Sequence, residues 1–127
     1  MAAVSILEYE KALNSLKESL QAFQTQNEPK LKEMLRDASI QRFEFACELA
    51  WKVSMKVLGL STSSPKMALR EMVQSSLIDD FQVWFDYIEA RNKSSHSYDE
   101  KIALEVILKA QQFISSAEDL LKKLKSK

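Results

Sequence analysis

Apolar residues recur along this chain in steps of three and four. Ile6, Tyr9, Leu13, Leu16, Leu20 and Phe23 fall on one stripe of a first helix. Asn27-Glu28-Pro29 interrupts the pattern, and Pro29 suits the opening turn of a second helix, predicted over about Pro29 to Leu58. Placed at ~100° per residue, this second helix is apolar on two sides. One face holds Leu31, Leu35, Ala38, Phe45, Leu49 and Val53; a nearly opposite one holds Ile40, Phe43, Cys47, Trp51 and Leu58. The polar strip is narrow: Asp37, Gln41, Glu44, Glu48 and Lys52. A helix apolar on two sides is either central in its own bundle or shared with another chain. In a four-helix protein every helix is peripheral, so the pattern predicts sharing. Arg42 falls within the first face, where its guanidinium needs an acidic residue or a carbonyl opposite it.

The remaining punctuation is equally readable. Gly59, the only glycine, directly follows the last periodic residue and reads as a helix C-cap. Ser64-Pro65 reads as an N-cap with proline at the first helical position, opening a short helix to about Ser75. Asp79 or Asp80 then caps a helix carrying Phe81, Trp84, Phe85 and Ile88 inward, with Trp84, Tyr87 and Arg91 along one flank. The last helix is predicted to begin near Asp99, with Ser97-Tyr98-Asp99-Glu100 in the form of a capping box. Its stripe is Ala103, Val106, Ala110, Phe113, Ala117, Leu120 and Leu124. The lysines Lys122, Lys123, Lys125 and Lys127 suit a helix C-terminus. The fold class is therefore all-α: an up-and-down four-helix bundle with one extra short helix, dimerising, as a single domain over residues 1–127.

Composition narrows the function classes. With one Gly and two Pro in 127 residues, a turn-rich β fold is disfavoured. Eighteen basic residues balance 18 acidic ones, which excludes nucleic-acid binding by bulk charge but leaves room for a local basic patch. A single cysteine, Cys47, and a single histidine, His96, exclude an intrachain disulfide and a Cys- or His-rich metal centre. Met1 to Lys11 lacks the basic start and apolar run of a secretory leader. No apolar run approaches the ~20 residues that span a membrane, so a cytoplasmic location is expected.

The chemistry concentrates in Arg91-Asn92-Lys93-Ser94-Ser95-His96-Ser97-Tyr98, which groups a fixed cation, a titratable imidazole and a phenol. On an unbroken helix Arg91 and His96 would point ~140° apart. They converge only if the helix ends between them or if two chains contribute. Each residue also has an ordinary reading. Arg91 could pair with Glu89 or Asp99, and Tyr98 could pack its ring on Trp84 or Tyr87. Lys52, Arg70 and Lys93 read as solvated charges, Trp51 and Trp84 as core or interface, and Cys47 as packing.

Arg91-x4-His96-x-Tyr98 resembles the signature of the HEPN superfamily. Around it, Ile40-Gln41-Arg42-Phe43-Glu44-Phe45 through Glu48-Leu49-Ala50-Trp51-Lys52 resembles the second helix of the bacterial nucleotidyltransferase substrate-binding protein family. Ser64-Pro65, Ala68-Leu69-Arg70-Glu71, Leu77-Ile78-Asp79, Trp84, Arg91-Asn92, Ser95-His96 and Tyr98-Asp99-Glu100 follow in that family's order. The likeness is close from about Ala38 to Ile107 and extends to the terminal helices by pattern. It implies a helical bundle that dimerises and forms a complex with a small nucleotidyltransferase encoded nearby. In related toxin–antitoxin pairs the HEPN member is a toxin, often an RNase. In some of them the transferase adenylylates the tyrosine of the motif.

Two physical tests sharpen these roles. A nucleotidyltransferase needs a Gly-Ser loop for the triphosphate and Asp-x-Asp carboxylates for magnesium. Here the glycine precedes Leu60 and the only paired aspartates, Asp79-Asp80, are adjacent, so the transferase must be another chain. Metal-free RNA cleavage needs a base, an acid and a cation. One chain supplies one His96 and one Arg91, whereas a two-fold dimer supplies two of each.

The sequence therefore predicts a substrate- or nucleotide-binding subunit of a separate nucleotidyltransferase. Its alternative is a metal-independent RNase toxin neutralised through Tyr98; a third reading is a helical interaction module with no nucleotide role. Arg91 and His96 are the candidate catalytic pair. Arg91, Asn92, His96 and Tyr98 are the candidate nucleotide-binding residues, and Tyr98 is the candidate modification site. No metal, cofactor or membrane is expected; RNA or a nucleotide is a possible ligand.

Overall fold

Proline and glycine set the helix boundaries. In the computed structural model, which describes residues 2–127 and the side chains of 6–127, five α-helices follow one another. They are α1 (Ala2–Thr25), α2 (Pro29–Leu58), the short α3 (Pro65–Gln74), α4 (Phe81–Lys93) and α5 (Glu100–Lys125). Among the described residues there is no strand. Met1, where the leader reading begins, lies outside them. Pro29 and Pro65 each open a helix, with Glu28 and Ser64 as the capping side chains. Gly59 ends α2 at φ 69°, in the left-handed region, as its position predicts. Among the described residues no helix is long and apolar enough to cross a membrane.

The α5 stripe is fully buried from Ala103 to Leu124, and it meets Tyr9, Leu13, Leu16 and Leu20 of α1 and Ile40, Phe43 and Cys47 of α2 in one core. Several polar groups drawn into that core are satisfied, while Trp51 Nε1 is buried without a hydrogen-bond partner. Tyr9 Oη donates to the Ala117 carbonyl at 2.9 Å, and Ser39 Oγ to Ser19 Oγ at 3.0 Å. Arg42 donates to the Ser15 carbonyl at 2.9 Å, the partner its place on an apolar face requires.

Phe113 is the hub that seats α4. Its ring meets Phe43 at 5.4 Å, Trp84 at 5.6 Å and Tyr87 at 5.3 Å, all edge to face. Tyr87 Oη also lies 2.7 Å from Ser116 Oγ. Trp84 and Ile88 point inward as predicted, while Phe81 and Phe85 stay half-buried and stack at 5.7 Å under the cations of Arg70 and Lys66.

The two apolar faces of α2 have different fates. Ile40, Phe43, Cys47 and Trp51 are buried. On the other face only Val53 is; Leu31 and Phe45 are exposed, and so is Met34 beside them.

Candidate functional site

Asp80 starts α4 by accepting from the Gln82 and Val83 amides, and the aromatic cluster fixes the helix along its length. The break predicted between Arg91 and His96 is present. α4 ends at Lys93, Ser94–His96 forms a 3-10 turn, and α5 starts at Glu100. The capping residue of α5 corrects the sequence reading. Asp99, not Ser97, receives the Lys101 and Ile102 amides, at 2.9 and 3.4 Å. Ser97 closes the 3-10 turn by donating its backbone N–H to the Ser94 carbonyl, so the chain leaves the turn two residues later than the capping-box pattern implies.

Arg91 does not pair with Glu89 or Asp99. Its Nε lies 3.2 Å from Glu48 Oε1 on α2. That nitrogen is buried and its N–H is not aligned for a hydrogen bond, so the contact is an ion pair. The other oxygen of Glu48 lies 3.2 Å from Lys52 Nζ. One turn back on α2, Glu44 accepts from the Ser94 hydroxyl, which also donates to the Arg91 carbonyl. Glu44 and Glu48, read from the sequence as part of a narrow polar strip, thus back the motif. Periodicity marks them as polar, but no pattern in the sequence says that α4 ends against them.

His96 and Tyr98 are brought together on the surface. Tyr98 Oη lies 3.4 Å from His96 Nδ1, and the rings meet edge to face at 5.9 Å. Tyr98 is 85% exposed, so it does not pack on Trp84 or Tyr87. Asn92 is exposed and its side chain makes no hydrogen bond among the described residues. No bond joins Arg91 to His96 or Tyr98 within the chain. A groove of about 510 Å³ runs beside Arg91, lined by Ala12, Phe45, Leu49 and Lys52 with Glu44 and Glu48. His96 and Tyr98 lie outside this lining. Cys47 sits beneath the site; burial pushes its thiol up, and the nearby Arg91 charge only partly opposes that.

The chemistry available is therefore divided. Arg91 offers a fixed cation at a groove, suited to an anionic oxygen. His96 and Tyr98 offer an imidazole nitrogen beside an accessible phenol.

Comparison with known proteins places the chain as a whole. Residues 5–126 match the family described as nucleotidyltransferase substrate binding protein like. A curated relative from Haemophilus influenzae, named "Probable ribonuclease HepT", is 31% identical over 97 residues; the match spans 70% of this chain and 66%, just under two thirds, of that protein. A crystal structure of a Thermus thermophilus protein superposes with a TM-score of 0.78 at 31% identity, covering 91% of this chain and 98% of that one. HI0074 of H. influenzae, described as revealing the fold of a substrate binding domain of a nucleotidyltransferase, superposes at 0.79 with 26% identity, over 94% of this chain and 98% of that one. The chain belongs to the nucleotidyltransferase substrate-binding protein family.

Proposed function

We propose that this chain is the partner subunit of a separate small nucleotidyltransferase, to which it presents a bound nucleotide or its own Tyr98. The exposed phenol beside His96 carries this reading, because an acceptor for another enzyme must stand clear of its own fold. In the proposed transfer Tyr98 Oη attacks the α-phosphorus of ATP. The new O–P bond forms as the bond to the β-phosphate breaks, pyrophosphate leaves, and His96 Nδ1 takes the phenol proton.

The chain acts as a homodimer. Its exposed α2 stripe of Leu31, Met34 and Phe45 supports this, and Phe45 lines the same groove as Arg91. Packing two such stripes about a two-fold axis draws two Arg91 grooves toward each other. The same cleft favours a second reading, a metal-independent RNase, to which the ribonuclease name of the curated relative also points. There, paired His96 side chains serve as base and acid and paired Arg91 side chains hold the phosphate.

One experiment separates the readings. The chain is co-expressed with its neighbouring transferase, and the complex, the intact mass with ATP, and RNA cleavage are measured together. The first reading expects a stable complex and one adenylyl adduct that Tyr98→Phe abolishes. RNase activity lost in His96→Ala and Arg91→Ala, and silenced by the adduct, supports the second. An adduct that persists in Tyr98→Phe removes that residue from the mechanism.

A further inference from the structure

The contacts behind Arg91 form a matched pair of ladders. On α2, Glu44 and Glu48 stand one turn apart on one face; on α4, Arg91 and the cap residue Ser94 stand three apart on one face. The ladders run antiparallel, Glu48 to Arg91 and Glu44 to Ser94. Both α2 carboxylates are thus committed to the segment that carries the motif. Glu48 meets the guanidinium through its buried inner nitrogen. The two terminal nitrogens make no hydrogen bond among the described residues, and Arg91 lines the groove. Glu44 holds the serine that opens the 3-10 turn leading to His96.

We propose that Glu48 and Glu44 are positioning residues of the phosphate site: Glu48 fixes the Arg91 guanidinium so that its paired outer nitrogens face the groove, and Glu44 fixes the turn that carries His96. This rests on the reading of Arg91 as a phosphate ligand. The class of ligand follows from the geometry. Two parallel N–H donors on one plane match two oxygens of a single phosphate group. A free arginine side chain loses much of its rotamer freedom when it grips an anion, and a guanidinium already tethered at its inner nitrogen loses less. Lys52 shares the same carboxylate, and Glu44 and Glu48 balance Lys52 and Arg91 along the groove, so the grip on a phosphate rests on the placement of the guanidinium rather than on net charge.

The test turns on sign. Glu48→Gln is nearly isosteric and removes one negative charge beside the groove. Charge alone would tighten binding of a polyanion; loss of the tether weakens it. The probe is a fluorescently labelled single-stranded RNA oligonucleotide, titrated at low salt by anisotropy with the full-length chain. Glu48→Gln is expected to weaken binding roughly fivefold, while the same change at the distant exposed Glu33 tightens it slightly or leaves it unchanged. Glu48→Asp, which keeps the charge on a shorter arm, is expected to fall between wild type and Glu48→Gln. Glu44→Gln is expected to weaken binding less than Glu48→Gln and to shift the His96 imidazole resonances.

A second readout is independent of RNA. The Arg91 Nε–H group, assigned by its loss in Arg91→Lys, is expected to show a lower side-chain order parameter in Glu48→Gln, because the ion pair that holds the guanidinium is gone. Unchanged or tighter RNA binding in Glu48→Gln, with binding lost in Arg91→Ala, overturns the proposal. So does an Nε–H order parameter that ignores Glu48. If Arg91→Ala binds RNA like wild type, the phosphate reading itself is overturned, and the order-parameter measurement alone then judges the tether.

Discussion

Two residues end their helices in the same way with different chemistry. After α2, Gly59 lies at φ 69°, and the amides of Gly59 and Leu60 return to Lys56 and Met55 at 3.1 and 2.9 Å. After α3, Ser76 lies at φ 62°, and the amides of Ser76 and Leu77 return to Val73 and Met72 at 3.0 and 2.9 Å. Both are left-handed C-caps with the same pair of reversed bonds. Only the first uses the residue that adopts this conformation without a Cβ clash. A Cβ at Gly59 would meet nothing within 4 Å, so the cost of Gly59→Ala is backbone strain alone, about 1 kcal/mol. Ser76→Gly relieves that strain, and the added freedom of the unfolded chain offsets part of the gain, leaving up to about 1 kcal/mol of stabilisation. The two substitutions are expected to move the urea midpoint in opposite directions at unchanged slope. Equal shifts of one sign would refute the shared motif. Gly59 was legible because glycine after an apolar repeat announces a cap; Ser76 was not, because serine announces nothing of the kind.

Helix pairing sets how stability responds to alkali. Tyr9 on α1 is buried and donates to the Ala117 carbonyl of α5, and burial pushes its phenol well above the ordinary 10.0. Below pH 10 the phenol is neutral in both folded and unfolded chains, so its stabilisation is fully present. As pH rises past 10 the unfolded chain releases the proton and the folded chain keeps it, so stability falls until the folded phenol also ionises, by up to about 1.4 kcal/mol per pH unit for this one group. Tyr9→Phe loses one buried hydrogen bond, about 1 kcal/mol at neutral pH, and loses this alkaline slope with it. The two denaturation curves are therefore expected to cross within about one pH unit above 10. Parallel curves up to pH 12 would show that Tyr9 ionises without unfolding. Cys47, also raised by burial, keeps its own slope in both proteins. At this scale the sequence carried the helices and their buried stripes, because periodicity reports which side of a helix is wet. It did not carry which helix meets which. Arg91 has Glu89 two residues away, but a helix turns that side chain aside; its partner Glu48 is 43 positions earlier and became visible only when α4 was laid across α2.

For the whole molecule, the outer stripe of α2 is a feature that a lone chain leaves unexplained. Met34 is 61% and Phe45 58% exposed, and in the groove that Phe45 lines Glu48 is paired with Arg91 and Glu44 accepts from Ser94. A large apolar ridge beside a charged groove is an interface pattern, and under the proposed dimer the partner that completes a site with one His96 and one Arg91 would be a second copy. Leu31→Glu with Met34→Glu changes only exposed side chains outside the Arg91 groove that Phe45 lines, so each chain keeps its core, its groove and its helical signal. Light scattering after gel filtration is expected to give a dimer for the wild type and a monomer for the double variant. The melting temperature of the wild type is expected to rise with protein concentration, and that of the variant to stay fixed, because association stabilises by mass action. Any RNase activity is expected to vanish in the double variant although Arg91 and His96 are intact. Adenylylation of Tyr98, which needs only one exposed phenol, is expected to persist. A wild-type chain that stays monomeric at every concentration, or an RNase undiminished in the monomer, would leave each chain to assemble its site alone, and the α2 ridge would then have to face the transferase instead.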